Sequence, residues 1–426
     1  MDLSSRISRL PLIRSTRCRV PEELESVITV GEETPPQWVG ITSDAIEGVW
    51  ERILDLYRSG TQPAIQACIR CQGQVVLDRA VGHASGNGPS DPPDAPKRRV
   101  GLDTPINIFS ASKAVTAMLI HKLVEQRKLA LDDRVCEYVP GFERHGKGTI
   151  TLRHVLAHRA GLPSLPEEAL DLDLLGKPKE IIGILCEQKV QSRPGRVLAY
   201  HAVTGGFILA EVARQACGRA LPELLHDFVS EPLGLECFAY GIAPERISEV
   251  AINAYTGPPA PPPLAQSLKR ALGTDMRTVV DLSNDPRFLT GVIPSANLVT
   301  TAREASLFYQ CLLEQGQHEG RTVFERRTIH HATAEQSWWE LDLTLMLPLR
   351  YGLGFMLGNP RLGPFGSDNE AAFGHIGFSN VFTWADPERR IAVALLTTGK
   401  PVVSLHIIPL FAMLTQVSRA FPKLDA

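Results

Sequence analysis

The sequence lacks the features of a membrane-spanning or secreted protein. No run of about 18 apolar residues occurs in its 426 residues, so we expect no transmembrane helix. Residues 1–20 are rich in arginine and serine and contain no apolar core of the kind that a secretory signal requires. We therefore expect a cytoplasmic protein that does not act on a membrane.

The sequence also has little excess of either charge. Its 44 lysine and arginine residues nearly balance 47 aspartate and glutamate residues, which gives a formal net charge of −3 at pH 7. The arginines are scattered and form no basic stripe interleaved with aromatic residues, so nothing predicts binding to nucleic acid. With 44% hydrophobic and 21% charged residues, the composition is that of a globular protein large enough for two packed lobes.

Metal-ligand patterns are sparse. Of the eight cysteines, only Cys68 and Cys71 are close together, and no second pair follows at the spacing of a zinc site. They lie in an alternating run that predicts a strand, so we interpret them as buried or edge thiols in a reducing compartment. His154 and His158 share one face of a predicted helix, but no glutamate follows His154 and no third ligand is evident. We expect packing or hydrogen-bonding histidines here, and no metal or other cofactor.

No serine stands in a G-x-S-x-G pattern, which argues against the nucleophile elbow of the α/β-hydrolases. Residues 109–113 read F-S-A-S-K instead, ahead of an apolar helix. A helix places residues three apart on one face, so Ser110 and Lys113 can meet at its N-terminus. Serine needs an adjacent base to become a nucleophile, and a desolvated, partly neutral lysine can supply one. The alternative is a serine that only caps the helix.

Two further segments are candidates for the same site. Tyr200 follows a Pro-Gly turn and precedes a predicted helix. With an ordinary pKa of about 10, its hydroxyl would act as a base only beside a cation such as Lys113; otherwise the ring caps a core. His375 and Gly377 lie on a predicted strand that reads F-G-H-I-G-F, where glycine lets a ligand approach the backbone closely. A bend at a sheet edge is the alternative.

Strand patterns cluster at the two ends of the chain. A hairpin at 64–71 and 75–82 precedes the helical middle, and strands over 351–357, 371–375, 380–386 and 391–397 follow it. The middle is therefore predicted to be inserted into a sheet domain that both ends of the chain build. We divide the chain into an irregular leader (1–40), a sheet domain (41–109 and 291–426) and a mainly helical insertion (110–290).

Together these motifs resemble the serine β-lactamase and penicillin-binding-protein superfamily, and most closely its class C-like esterases, the family VIII carboxylesterases. The resemblance covers residues 42–418 and rests on the order and spacing of the motifs. Tyr200 lies 90 residues after Ser110, and His375 lies 175 residues after Tyr200. Further support comes from the segments 76–82, 150–163 and 294–302. The resemblance implies an α+β fold, in which helices flank an antiparallel sheet, with a helical domain inserted and the active site in the crevice between them.

By this resemblance, Ser110 is the acylated nucleophile and Lys113 is its activating partner. Tyr200 is the base that serves the leaving group and later the deacylating water. The backbone N–H groups of Ser110 and Phe378 form the oxyanion hole. These assignments describe a serine hydrolase without a cofactor.

Two departures from the family pattern affect the substrate-binding residues, which by the resemblance include Ala202, His375 and Gly377. Ala202 occupies the third position of the Tyr-x-Asn element, so a side-chain amide that usually contacts substrate is missing. His375 stands where the β-lactamases have the lysine of K-T-G, and with an ordinary pKa of about 6.5 it is mostly neutral at pH 7. Both changes favour esters over β-lactams.

We therefore expect a serine carboxylesterase that cleaves small, short-acyl esters through an acyl-enzyme. The alternatives are a β-lactamase or D-alanyl-D-alanine peptidase, an acyltransferase, and a binding protein that keeps the fold without turnover. The expected partner is a small-molecule ester, and the oligomeric state stays open. We expect residues 253–290 and 335–350 to wall the acyl pocket, with core packing as the alternative; the second stretch includes Trp338, Trp339, Leu345 and Met346.

Overall fold

A nine-stranded antiparallel sheet runs through the computed structural model, which describes residues 16–166 and 171–424. The strands of the chain are β1 (Ile28–Val30), β2 (Ala64–Cys71), β3 (Gln74–Ser85), β4 (Arg98–Arg99), β5 (Ile106–Asn107), β6 (Ala239–Tyr240), β7 (Leu298–Thr300), β8 (Gln317–His318), β9 (Arg321–Thr322), β10 (Leu341–Asp342), β11 (Leu347–Pro348), β12 (Arg350–Tyr351), β13 (Met356–Leu357), β14 (Phe373–Gly377), β15 (Val381–Asp386) and β16 (Ile391–Thr397). The main sheet has the order β1-β3-β2-β16-β15-β14-β13-β12, and β4 pairs with β3. Both ends of the chain therefore contribute strands to it.

The apolar sequence of β16 explains its central position. Ile391, Val393 and Leu395 pack into one core cluster. Ala392 and Ala394 pack into a second cluster. Successive residues of a strand point to opposite faces, so a sheet that is covered on both faces needs a continuous apolar run.

Helices cover both faces of the sheet. The α-helices of the described residues are α1 (Ser43–Arg58), α2 (Ser112–Glu125), α3 (Leu152–Leu156), α4 (Pro178–Glu187), α5 (Thr204–Cys217), α6 (Leu221–Leu225), α7 (Glu231–Leu233), α8 (Pro262–Leu272), α9 (Met276–Leu282), α10 (Pro286–Thr290), α11 (Ala302–Leu313), α12 (Arg326–Thr333) and α13 (Ile407–Ala420). Helices α1 and α13 pack on each other and on the cluster that holds Val393, whereas α11 packs against β2, β15 and β16 from the other side. The predicted fold class, a helix-flanked antiparallel sheet with helices in mid-chain, is confirmed.

The predicted irregular leader is wrong in part. Residues 1–15 lie outside the described residues, but Ile28–Val30 is a strand that pairs with β3, so the segment that precedes α1 belongs to the sheet. The boundaries set at 110 and 290 stay a prediction. Strands β5, β6 and β7 form one small sheet, which joins the helical middle to the segments on either side of it.

The starts of α1 and α8 follow from their local sequences. Thr42 is the N-cap of α1, because its side chain accepts a hydrogen bond from Ala45 N; Ser43 is already helical. The proline-rich run 257–263 ends in a helix, since α8 begins at Pro262. Proline is tolerated in the first turn of a helix, where its missing N–H has no partner to lose.

Cys68 and Cys71 cannot bind one metal ion together. Cys68 packs in the cluster on one face of the sheet and Cys71 in the cluster on the other. Both are free and buried, as predicted for buried thiols. Within the part of the chain that the structure describes, no helix combines the length and apolar character that crossing a membrane requires. A cytoplasmic location stays a prediction.

Candidate active site

Ser110 lies in a tight turn that immediately precedes α2. The turn Phe109–Ala111 is a 3₁₀ helix, and the α-helix itself begins at Ser112. Phe109 has a φ of 48°, which a bulky residue adopts only when its surroundings hold it there. Ser112 supplies part of that hold: its hydroxyl donates to Phe109 O and accepts from Leu298 N at 3.0 Å. The second serine of the motif thus ties the Ser110 turn to β7.

Lys113 is buried against Ser110. Its Nζ lies 3.1 Å from Ser110 Oγ, 2.6 Å from Ala202 O and 3.0 Å from Ser295 O. Burial lowers the pKa of Lys113 well below its ordinary value. In a neutral amine, two N–H groups donate to the two carbonyls and the lone pair faces Ser110 Oγ. The arrangement therefore presents a base to the serine hydroxyl.

Tyr200 completes the group of polar side chains around Ser110. Its hydroxyl lies close to the Ser110 side chain, and Lys113 Nζ lies 4.9 Å from the centre of its ring. Burial raises the pKa of Tyr200, and the nearby Asp342 carboxylate raises it further. From the sequence we expected Tyr200 to act as a base only beside a cation that favours phenolate. The structure instead favours a neutral Lys113 beside a neutral Tyr200 hydroxyl, because burial penalises both charged forms.

Asp342 is a functional candidate that the sequence reasoning missed. It is completely buried, and its carboxylate accepts hydrogen bonds from Tyr200 N at 3.1 Å, Thr344 N at 2.8 Å, Leu345 N at 3.0 Å and Tyr351 Oη at 3.0 Å. Asp342 therefore fixes the backbone position of Tyr200 and, through it, the position of the ring. A sequence signal existed, since a single aspartate in the leucine-rich stretch 341–349 implies a buried carboxylate with partners.

Ser295 was also missed, and no sequence signal marks it for this role. It holds Lys113 through its backbone carbonyl, which any residue possesses. Its hydroxyl accepts from Gly206 N at 3.0 Å and so ties the segment to α5. Ala202 likewise contacts Lys113 through its carbonyl, so the residue that lacks the family's amide still positions the lysine.

His375 is buried beside Tyr200. Its ring centre lies 6.1 Å from that of Tyr200, and its Nδ1–H donates to Ile376 O at 2.8 Å. Burial is the main cause that lowers its pKa from 6.5 to about 3, and the nearby Lys113 contributes to the same shift. His375 is therefore neutral at pH 7, as expected from the ordinary pKa of a histidine. Its Nε2 has no hydrogen-bond partner among the described residues.

Gly377 and Phe378 bring the end of β14 against the Ser110 turn. A Cβ on Gly377 would lie 2.2 Å from Ile108 O, so only glycine permits this approach. The Phe378 ring packs on the Phe109 ring with their centres 5.3 Å apart. Ser110 and Phe378 thereby share the wall of one cavity, and their role as oxyanion donors stays a prediction.

A cavity of about 520 Å³ opens beside Ser110. The site residues on its wall are Ser110, Tyr200, Ala202, Gly377 and Phe378. Most of the remaining wall is aliphatic or aromatic. Both stretches that were expected to wall a pocket contribute to it, 253–290 through α8 and α9 and 335–350 through three leucines.

Trp338 and Trp339 were predicted wrongly as pocket residues. Their exposed fractions are 57% and 43%, and neither lines the cavity. The guanidinium of Arg350 lies 4.7 Å from the Trp338 ring centre, so this ring is held on the surface. Met346 is exposed as well, whereas Leu345 does line the cavity.

His154 and His158 accept backbone hydrogen bonds. Thr151 N donates to Nδ1 of His154 at 3.2 Å, which closes a capping box at the start of α3. His201 N donates to Nδ1 of His158 at 3.2 Å. The His158 ring also packs 4.7 Å from that of Tyr200, centre to centre. Both side chains are therefore engaged in hydrogen bonding and packing, and His158 helps to enclose Tyr200.

Comparisons with known proteins agree with this geometry. A model of the family described as Beta-lactamase matches residues 47–410. The chain is 29% identical over 306 residues to the Esterase/beta-lactamase LipL of Mycobacterium tuberculosis, and the alignment covers 68% of each protein.

Two solved structures have the same fold. A penicillin-binding protein homologue from Caulobacter crescentus superposes with a TM-score of 0.75 at 26% identity, over 92% of this chain and 99% of that one. A family VIII carboxylesterase superposes with a TM-score of 0.74 at 24% identity, over 88% and 98% respectively. The second likeness, at this identity, is evidence of the fold alone. The resemblance stated from the motifs is confirmed.

Proposed function

Because this chain belongs to the beta-lactamase family, we propose that it hydrolyses carboxylic esters through an acyl-enzyme formed on Ser110. The observation that most directly supports the proposal is the 3.1 Å contact between Lys113 Nζ and Ser110 Oγ at the wall of an apolar cavity. A nucleophile, a base and a site for an apolar substrate are then adjacent. These are the requirements for acyl transfer to serine.

In the first half of the proposed reaction, Ser110 Oγ attacks the ester carbonyl carbon while its proton passes to the neutral Nζ of Lys113. The bond between the carbonyl carbon and the alcohol oxygen then breaks. The Tyr200 hydroxyl gives its proton to the departing oxygen and regains one from Lys113. The products of this half are the free alcohol and acylated Ser110.

In the second half, water attacks the carbonyl carbon of the acyl-enzyme. Its proton passes to the base that Lys113 and Tyr200 together provide. The bond to Ser110 Oγ breaks, the serine recovers its proton and the carboxylic acid leaves. The backbone N–H groups of Ser110 and Phe378 are the proposed donors to the oxyanion in both halves. Each such donor contributes about 3 kcal/mol in the transition state.

An ester suits this site better than a β-lactam or a peptide that ends in a carboxylate. Ala202 provides no side-chain amide, and the buried His375 is neutral. Among the described residues, no lysine or arginine lines the cavity. A substrate carboxylate would therefore enter an apolar space without a cation to pair with it, which is unfavourable.

A second candidate is hydrolysis of a β-lactam or a D-alanyl peptide. It is favoured by the Caulobacter structure, which is described as a homologue of penicillin-binding proteins. An acyltransferase is a variant of the proposed reaction in which an alcohol replaces water.

Steady-state hydrolysis of p-nitrophenyl butyrate and nitrocefin tests the proposal. We expect a higher kcat/KM for the ester by at least about 100-fold and loss of ester hydrolysis in Ser110→Ala. A preference for nitrocefin would move the assignment to the second candidate. Equal ester hydrolysis by wild type and Ser110→Ala would contradict the acyl-enzyme.

A further inference from the structure

The cavity beside Ser110 is larger than a short acyl group needs. Its volume is about 520 Å³. A water molecule has a share of about 30 Å³ in the liquid, and a methylene group is of comparable size, so a butyryl group would fill only a fraction of the space. Pockets of about 300–1,000 Å³ are those that enclose ligands of drug size. The expectation of a short-acyl ester therefore does not explain the cavity.

The cavity wall is built by residues at helical spacing. On α8, Leu268 and Leu272 are four residues apart and both face the cavity. On α9, Met276 and Val279 are three apart and do the same. Residues at these spacings form one stripe along a helix. Both helices thus direct apolar side chains at the cavity.

Polar groups are few on this wall. Asp171 is exposed to solvent, and its carboxylate accepts a hydrogen bond from Asp173 N. His406 is buried, and burial lowers its pKa to about 4, so it is neutral at pH 7. A bound hydrocarbon chain would meet mainly aliphatic and aromatic surface. Away from Ser110 and Tyr200, the other polar residues on the described part of the wall are Thr274, Ser379 and Asn380. Only Asn380 Nδ2 and His406 Nδ1 are both buried and without a hydrogen-bond partner among these residues, which is too few to recognise a sugar or a peptide along its length.

We propose that the substrate is an ester that carries one extended or branched apolar chain of about eight carbons or more, and that the space between α8, α9 and the Ser110 turn holds this chain. This inference rests on the proposed ester hydrolysis and specifies its substrate class. The chain can belong to the acyl group or to the alcohol, since the cavity adjoins Ser110 in either case.

The test uses two substrate series below their aggregation concentrations. The first varies the acyl group of p-nitrophenyl esters from acetate to decanoate; the second varies the alcohol of acetate esters from butanol to decanol. Burial of one methylene group corresponds to roughly a fourfold gain in kcat/KM. We expect such a gain per carbon beyond butyrate or butanol in one of the series. The series that rises identifies the half of the ester that enters the cavity.

Two matched variants test where the apolar chain of the substrate binds. Val279→Trp adds bulk inside the cavity, and Gln266→Trp adds the same ring on the exposed side of α8. Val279→Trp should lower the ratio of kcat/KM for the eight-carbon substrate to that for the four-carbon substrate by at least tenfold. Gln266→Trp should leave this ratio at the wild-type value. Equal ratios in all three proteins would place the chain elsewhere and overturn the inference.

The outcomes separate this inference from the proposed function. If esters are hydrolysed but neither series rises beyond four carbons, the chain-binding inference is wrong and ester hydrolysis stands. If no ester of any length is hydrolysed, the proposed function fails, and calorimetric titration of Ser110→Ala with 1-octanol and 1-butanol tests the cavity alone. Tighter binding of octanol, weakened by adding Val279→Trp, would support the chain site. Absence of octanol binding would overturn it.

Discussion

The buried carboxylate of Asp342 offers a sharp test of how the site is held together. It accepts hydrogen bonds from three backbone N–H groups, one of them of Tyr200, and from the Tyr351 hydroxyl. The variant Asp342→Asn keeps the shape and one accepting oxygen but removes the charge. The variant Asp342→Ala removes every acceptor. The two variants therefore separate the loss of charge from the loss of the hydrogen bonds.

The contacts give the expected magnitudes. Hydrogen bonds to a charged group contribute about 1.5–3 kcal/mol and neutral ones about 1 kcal/mol. Asp342→Asn weakens four such bonds by at least about 0.5 kcal/mol each, so it should lower the free energy of unfolding by at least about 2 kcal/mol. In Asp342→Ala four donors lose their acceptor, and those of Tyr200 and Tyr351 are buried whereas those of Thr344 and Leu345 are half-buried. An unsatisfied buried donor costs about 1–3 kcal/mol, so the loss should exceed that of Asp342→Asn and reach about 4 kcal/mol. The charge of Asp342 also raises the pKa of Tyr200. Its removal should therefore shift the pH–rate profile of ester hydrolysis to lower pH.

Urea unfolding and pH–rate profiles of both variants measure these effects, with the exposed Asp281→Asn as a control. A profile that keeps its position in Asp342→Asn, while stability falls, would limit Asp342 to a structural role. If Asp342→Ala unfolds at the same urea concentration as the wild type, the reasoning from its four hydrogen bonds is refuted.

Three further predictions concern neighbouring groups. Ala202→Asn restores the missing amide, so the ratio of nitrocefin to butyrate kcat/KM should rise about tenfold; an unchanged ratio contradicts the account of specificity. Lys400 is buried under the Phe109 ring, and burial lowers its pKa from 10.5 to about 7. Between pH 7 and pH 10.5 the unfolded chain therefore binds one more proton than the folded protein. The free energy of unfolding of the wild type should rise with pH over this range. The Lys400→Met variant should not show this rise when its free energy of unfolding in urea is measured at pH 6 and at pH 9. Gly377→Ala places a Cβ 2.2 Å from Ile108 O and should lower kcat about 100-fold in steady-state assays; wild-type kcat would show that β14 can move away.

Much of the fold could be predicted because its strands carry strong local patterns. The run over Ile391–Thr397 is apolar except for its last residue and follows a turn, and its predicted limits are those of β16. The small sheet of β5, β6 and β7 could not be predicted in the same way. Its strands have two or three residues each and come from distant parts of the chain, so tertiary pairing alone defines them.

In the candidate site, too, residues with a local sequence pattern could be predicted and residues defined by tertiary contacts could not. Ser110, Lys113 and Tyr200 stand in motifs with a fixed spacing, and the structure brings their side chains together. Ser295 acts through a backbone carbonyl, for which no residue type is a signal. Trp338 and Trp339 were placed in the pocket on composition alone, and composition does not tell which side of a loop an aromatic ring occupies.

The most direct test of the central claim is the mass of the intact protein after brief exposure to p-nitrophenyl butyrate and, separately, to a phosphonate ester. We predict one added acyl or phosphonyl group on the wild type and none on Ser110→Ala, with the modified peptide mapping to residues 109–113. An adduct that persists in Ser110→Ala would show that the nucleophile is another residue. Absence of any adduct on the wild type, together with no release of p-nitrophenol, would contradict a serine acyl-enzyme and favour a binding protein.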